Sequence, residues 1–258
     1  MSDALRRHWP EYLMEGAELG LFMVSAVLFS ALLEHPASPV RASIPDPFLR
    51  RALMGVVMGA TAVAIIYSPW GKRSGAHFNP SVTLTFFRLG KIGPADALFY
   101  VSFQFLGGLV GVLLARAVAG MVVADPAVRY AATTPGPRGA LPAFAAEIVI
   151  SFLLMLIVLF VSNHRRLARL TGVCAGVLVA VAIAFEAPLS GMSMNPARTL
   201  ASALPARVFS DLWVYFVGPP LGMLLAAQSF VGLRGTQAIA CAKLHHQNPA
   251  RCIFRCGC

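Results

Sequence analysis

Asn-Pro occurs twice in this chain at the head of an apolar run too short to cross a bilayer. The two segments are Ser74-Gly75-Ala76-His77-Phe78-Asn79-Pro80-Ser81 and Ser190-Gly191-Met192-Ser193-Met194-Asn195-Pro196-Ala197-Arg198. Pro in the first turn starts a helix at little cost, because the amide it lacks would have been unpaired there. The runs that follow, 79–88 and 195–204, rise only ~15 Å each at helical pitch, against a hydrocarbon core of ~30 Å. Neither crosses alone. Two half-helices in corresponding places of two sequence halves predict an inverted repeat with the helix N-termini meeting near the membrane midplane, which is the arrangement of a pore.

The rest of the chain supplies the membrane. It is 57% hydrophobic and only 12% charged over 258 residues, more apolar than a soluble domain of this size requires. Six runs are long enough to span: 13–33, 49–67, 97–123, 141–161, 170–188 and 212–233. The expected fold class is therefore an all-α membrane protein with six transmembrane helices, two re-entrant half-helices and both termini on one side. No small-residue cleavage pattern ends the first run, so it reads as retained. Thirteen Lys and Arg fall on the side of the termini and seven on the other, which predicts cytoplasmic termini. The net charge of +10 is then a topology signal and a match to anionic lipid. Nucleic acid is not an expected partner, since no soluble basic domain exists to carry it. The expected organisation is an N-terminal segment, 1–10, a membrane domain, 11–233, with halves 11–123 and 141–233, and a basic Cys/His-containing tail, 234–258.

Landmarks recur between the halves. Ala17-Glu18 opens the first span and Ala146-Glu147 the fourth, each half then carries its Asn-Pro run, and each ends on a glycine pair, Gly107 with Gly111 and Gly218 with Gly222. Small residues four apart let helix backbones approach closely where lipid offers no hydrophobic drive. Two half-helices aimed at one spot place about half a positive charge each there, and the amides of Asn79 and Asn195 add donors. A cation is repelled, while an oxygen of a neutral solute accepts from both amides and leaves the donor–acceptor chain of a hopping proton broken. Asn-Pro alone is weak evidence: Asn248-Pro249-Ala250-Arg251 repeats the second tetrapeptide with no apolar run behind it.

On both half-helix motifs (Asn79, Pro80, Ser81 and Asn195, Pro196, Ala197), the Glu at the start of each half, and Arg198 directly after the second motif, the chain resembles the aquaporin and glycerol-facilitator family, the major intrinsic proteins. That resemblance implies a six-helix bundle, a homotetramer with one pore per subunit, no cofactor and no enzyme chemistry. It makes Arg198 a constriction residue, and carrying its other constriction positions over by ungapped spacing gives Gly59, Ile183 and Met192. It also implies that Glu18, Glu147 and His77 brace the re-entrant loops. Small and aliphatic constriction residues, with Ser81 in place of the usual Ala, are similar to plant channels for boric or arsenous acid. Thr199, Ala203 and Tyr215-Phe216 resemble the water-conducting type instead.

The expected activity is passive conduction of water and small uncharged solutes such as glycerol or a metalloid acid, in an inner cell membrane. Two alternatives stay open: a secondary transporter, which also uses broken helices, and a membrane protein regulated by metal at its tail. Of five cysteines, Cys241, Cys252, Cys256 and Cys258 lie in the tail beside His245 and His246, and Cys252, Cys256 and Cys258 are weak candidates for a soft metal. Every pore landmark precedes the tail, so it is expected to be a solvated segment whose deletion after about 235 leaves transport intact.

Overall fold

Five helix starts pair a first-turn proline with a Ser, Asp or Asn side chain that caps the helix. In the computed structural model, which describes residues 2–256, eleven α-helices are present: α1 Ser2–Glu34, α2 Pro39–Ser43, α3 Pro47–Tyr67, α4 Pro69–Ser74, α5 Pro80–Arg88, α6 Pro94–Ala119, α7 Ala140–Ser162, α8 Thr171–Phe185, α9 Ala187–Ser190, α10 Pro196–Ala206 and α11 Leu212–Arg234. Six of these segments are long and apolar enough to cross a membrane, those built on α1, α3, α6, α7, α8 and α11. The half-helices α5 and α10 have 9 and 11 residues. Residues 2–10 do not form a segment of their own but continue α1.

Glycine seams join the spans in pairs. A Cβ on Gly107 would lie 2.0 Å from the carbonyl oxygen of Gly16, and one on Gly111 would lie 2.2 Å from that of Gly20, so α1 and α6 touch backbone to backbone. Gly222 of α11 meets the Ile148 carbonyl of α7 in the same way, at 2.3 Å. A third seam joins α3 to α8 through Gly55 and Gly59, whose Cβ atoms would fall 2.4 Å and 2.5 Å from the carbonyl oxygens of Ala180 and Gly176. The outward face of the bundle is apolar, as lipid requires: Leu106, Val110, Leu114 and Val118 of α6, each one turn from the next, are all exposed.

The tail departs from expectation. Ile239, Cys241, Ala242, Lys243, Leu244 and Phe254 are buried. The Leu244 amide donates to the Gly75 carbonyl at 3.0 Å, the Arg255 amide to the Lys91 carbonyl at 2.8 Å, and the Ala240 amide to Asn163 Oδ1 at 2.7 Å. The segment after α11 thus turns back under the bundle and closes on both halves. In the tail copy of the motif, Asn248 Oδ1 accepts the Ala250 amide at 2.8 Å as a cap would, but no helix follows.

Candidate functional site: two re-entrant loops facing one cavity

The two loops follow one backbone recipe. Gly75, Ala76 and Phe78 precede Asn79 with φ of 106°, 56° and 31°, and Gly191, Met192 and Met194 precede Asn195 with 80°, 49° and 55°. Left-handed backbone in non-glycine residues costs on the order of 1–3 kcal/mol and persists only where the surroundings enforce it. Buried carboxylates do so here. Glu147 accepts the amides of Ser193 and Met194 at 2.7 and 2.8 Å, and the hydroxyl of Ser190 at 2.8 Å. In the first half the matching acid is Glu15, not Glu18. Glu15 accepts the amides of His77 and Phe78 at 2.9 and 2.7 Å, while Glu18 accepts only the Ser74 hydroxyl, at 2.7 Å. Matching Ala-Glu dipeptides between the halves placed the brace three residues too late. The signal that finds it is helical spacing, since Glu11, Glu15 and Glu18 recur on one face of α1.

Each Asn does two jobs. Asn79 Oδ1 caps its helix by accepting the Ser81 amide at 2.9 Å, and Asn195 Oδ1 accepts those of Ala197 and Arg198 at 3.0 and 3.1 Å. Their Nδ2 groups donate across the repeat, Asn79 to the Met194 carbonyl and Asn195 to the Phe78 carbonyl, both at 2.8 Å. A carboxamide has two N–H donors, so each keeps one for the space between the loops.

That space is a cavity of about 310 Å³, walled by both Asn residues, Arg198, Ile183 and Met192. Gly59 is not on its wall. From α3 the lining residues are Met54, Met58, Ala62 and Ile66, one turn apart, and Gly59 instead faces Gly176 at the seam with α8. One residue of register turns a side chain by ~100° around a helix, so an ungapped count from Asn79 that is off by one trades pore wall for helix interface. Met58, not Gly59, stands on the cavity wall. Arg198 Nη1 is buried with no hydrogen-bond partner among the described residues.

A family model described as major intrinsic protein matches residues 13–230. Aquaporin NIP2-3 of Zea mays is 34% identical over 228 residues, 87% of this chain and 73% of that protein. Aquaporin NIP2-2 of the same plant is 36% identical over 225 residues, 86% and 74% of the two chains. Aquaporin NIP1-2 of Oryza sativa subsp. japonica is 37% identical over 183 residues, 70% of this chain and 60% of its own length. The chain is a major intrinsic protein. The X-ray structure of the aquaglyceroporin from Plasmodium falciparum matches the fold with a TM-score of 0.73 at 19% identity, over 90% of this chain and 98% of that one.

In this major intrinsic protein the first loop is also tied to the tail. His77 Nε2 donates to the Ala242 carbonyl at 2.8 Å, which leaves Nδ1 to accept from Thr83 Oγ1 at 3.0 Å. Gln104 Nε2 in turn donates to Thr83 Oγ1 at 3.1 Å and to Glu15 at 2.8 Å. The His77 ring lies between Phe86 and Phe254, stacked on both at 16°, and Leu244 forms part of the cavity wall. Glu11, fully buried on α1, pairs with Arg73 at 2.9 Å and with Arg251 of the tail at 3.7 Å. Burial lowers the pKa of both His245 and His246 below the usual imidazole value. Cys252 and Cys256 do come together in the tail, but with Cys241, one thiol from each within 4.8 Å of the others; Cys258 lies outside the described residues. Sequence spacing alone hid Cys241, because the connection between it and Cys252 is ten residues long.

Proposed function

We propose that this major intrinsic protein is a passive channel for water and small uncharged solutes of the glycerol or metalloid-acid kind. The observation that carries the reading is the cavity between the half-helices: its centre presents the Nδ2 donors of Asn79 and Asn195, and the Arg198 guanidinium stands nearby on an otherwise largely apolar wall. Three relatives named as aquaporins support it. A hydroxyl or water oxygen accepts from the amides as it passes, and this replaces part of its hydration. A cation meets two helix N-termini and an arginine, while the nearby carboxylates of Glu15 and Glu147 are engaged by the loop amides.

Met58, Ile183, Met192 and Arg198 form the proposed filter. Three of the four are apolar, so a solute with one hydroxyl-bearing face and one apolar face fits them better than an ion does. The methionines are flexible and polarizable, which suits a filter that admits several small shapes. Asn79, Pro80, Ser81, Asn195, Pro196 and Ala197 start the two half-helices, while Glu15, Glu147 and His77 brace the loops. No residue is assigned a catalytic role. The excess of Lys and Arg on the terminal side supports cytoplasmic termini, and a homotetramer is the assembly the family resemblance implies.

Stopped-flow light scattering of proteoliposomes under gradients of sucrose, glycerol, urea and boric acid tests the reading, with planar-bilayer recording of the same preparation. The expected result is faster water and neutral-solute flux than in empty vesicles, without unitary currents. Reproducible ionic currents, or flux no faster than in empty liposomes, would sink it.

A further inference from the structure

The thiols of the tail are spaced like metal ligands. Cys241 Sγ and Cys252 Sγ are 3.8 Å apart, far beyond a disulfide bond. A tetrahedral ion with ~2.3 Å bonds to sulfur separates its ligands by about 3.8 Å. Cys256 completes a trio within 4.8 Å, and its Sγ accepts the Ala242 amide at 3.4 Å, a contact that favours a thiolate. No His, Asp or Glu ligand atom of the described residues joins the three thiols at that spacing, so the fourth position falls to solvent.

Charge supports the same conclusion independently. Lys243 is 2% exposed, and its Nζ donates only to the Ala250 and Arg251 carbonyls, at 2.8 and 2.7 Å. Among the described residues no carboxylate pairs with it. A buried ammonium with no counter-anion is expensive. Three thiolates on a divalent ion carry a net charge of −1, and the carbonyls that hold Nζ directly precede Cys252 in the chain.

We propose that Cys241, Cys252 and Cys256 bind a thiophilic divalent ion of the zinc type, and that this ion fastens the C-terminal segment in the pore mouth on the side of the termini. Binding forms three sulfur–metal bonds and releases three thiol protons to solvent, and no electrons move. The segment so fastened carries Leu244, which walls the cavity, and Ala242, whose carbonyl holds His77. Occupancy therefore favours the closed mouth. The gating half of the proposal rests on the channel reading, while the binding half stands without it.

Zinc is the probe. Full-length protein purified under reducing conditions, loaded with zinc and freed of excess, is expected to retain one ion per chain, and cobalt in its place to give a thiolate charge-transfer band in the near ultraviolet. The variant C241S/C252S/C256S is expected to lose both, and single serine variants to weaken the band stepwise. In proteoliposomes, a membrane-permeant chelator is expected to raise the water permeability of the native protein on the order of tenfold and to leave the triple variant, already open, unchanged. Absence of stoichiometric zinc, or cobalt bound without the thiolate band, overturns the site. Stoichiometric zinc with permeability equal in loaded and stripped protein overturns the fastening. If neither the native chain nor the triple variant conducts under any condition, it is the channel reading that fails, and zinc retention still decides the site.

Discussion

Around the first loop, Glu15, Glu18 and Gln104 share the bracing, and the tail seals the loop through His77. Around the second, Glu147 alone takes two amides and a serine hydroxyl, and Arg198 stands open to the cavity. The two loops share their pattern of positive φ, so the difference lies in what packs around them, side chains and, at the first loop, the backbone of the tail. An inverted repeat thus fixes what both halves must do, which is to hold a strained turn and start a helix at the midplane. What surrounds each turn is free to diverge, an arginine on the cavity wall beside one and the C-terminal segment packed against the other.

The largest effect that tests this contrast is expected from Glu147→Ala. It strips partners from two buried amides, at about 1–3 kcal/mol each. Glu15→Ala leaves Glu18 one turn away and is expected to cost less. Thermal unfolding of the two purified variants ranks them, and a first-half variant that is equally or more damaged would remove the asymmetry.

Next comes the α3 register. Gly59→Phe drives a ring into the backbone of α8 and is expected to lower stability by about 1–3 kcal/mol or more, with all permeabilities falling together as folded protein is lost. Met58→Ala is expected to keep the fold and raise glycerol flux severalfold over water flux. Stopped-flow measurements on both sharpen the filter; a solute-selective Gly59→Phe with an indifferent Met58→Ala would return the constriction to Gly59. The smallest effect is expected from Glu18→Gln, whose amide oxygen still accepts the Ser74 hydroxyl. A melting shift equivalent to more than about 1.5 kcal/mol, beyond an ordinary hydrogen bond, would show Glu18 to be a brace of the same rank as Glu15.

Much of this was legible without coordinates. The Asn-Pro starts, the half-length runs and the glycine pairs are local signals, and local signals survive in one dimension. The bundle, the half-helices and the seams at Gly107 with Gly111 and Gly218 with Gly222 follow from them. Rotation about a helix axis was not legible where it was counted from a distance. Glu18 for Glu15 is an error of one turn, and Gly59 for Met58 an error of one residue, yet the second reverses which face looks into the pore. Nor was the tail legible. Its contacts join Ala242 to His77 across 165 residues, and no periodicity announces a pairing at that range. Composition marked the cysteines, but only folding brings Cys241 to Cys252.

The crossed bonds between the loops also constrain how the chain is made. Asn79 Nδ2 waits for the Met194 carbonyl, 115 residues later, and at ~5–20 residues per second of synthesis that is an interval of roughly 6 to 23 s. Throughout it the first loop has the braces of its own half, Glu15, Glu18 and Gln104, but the Phe78 carbonyl has no Asn195 to meet. The first half therefore enters the bilayer unfinished. A nascent chain stopped at the connection between the halves holds a half-helix with no counterpart at the midplane, so the ordered junction is a product of late biosynthesis, completed only when the second half arrives.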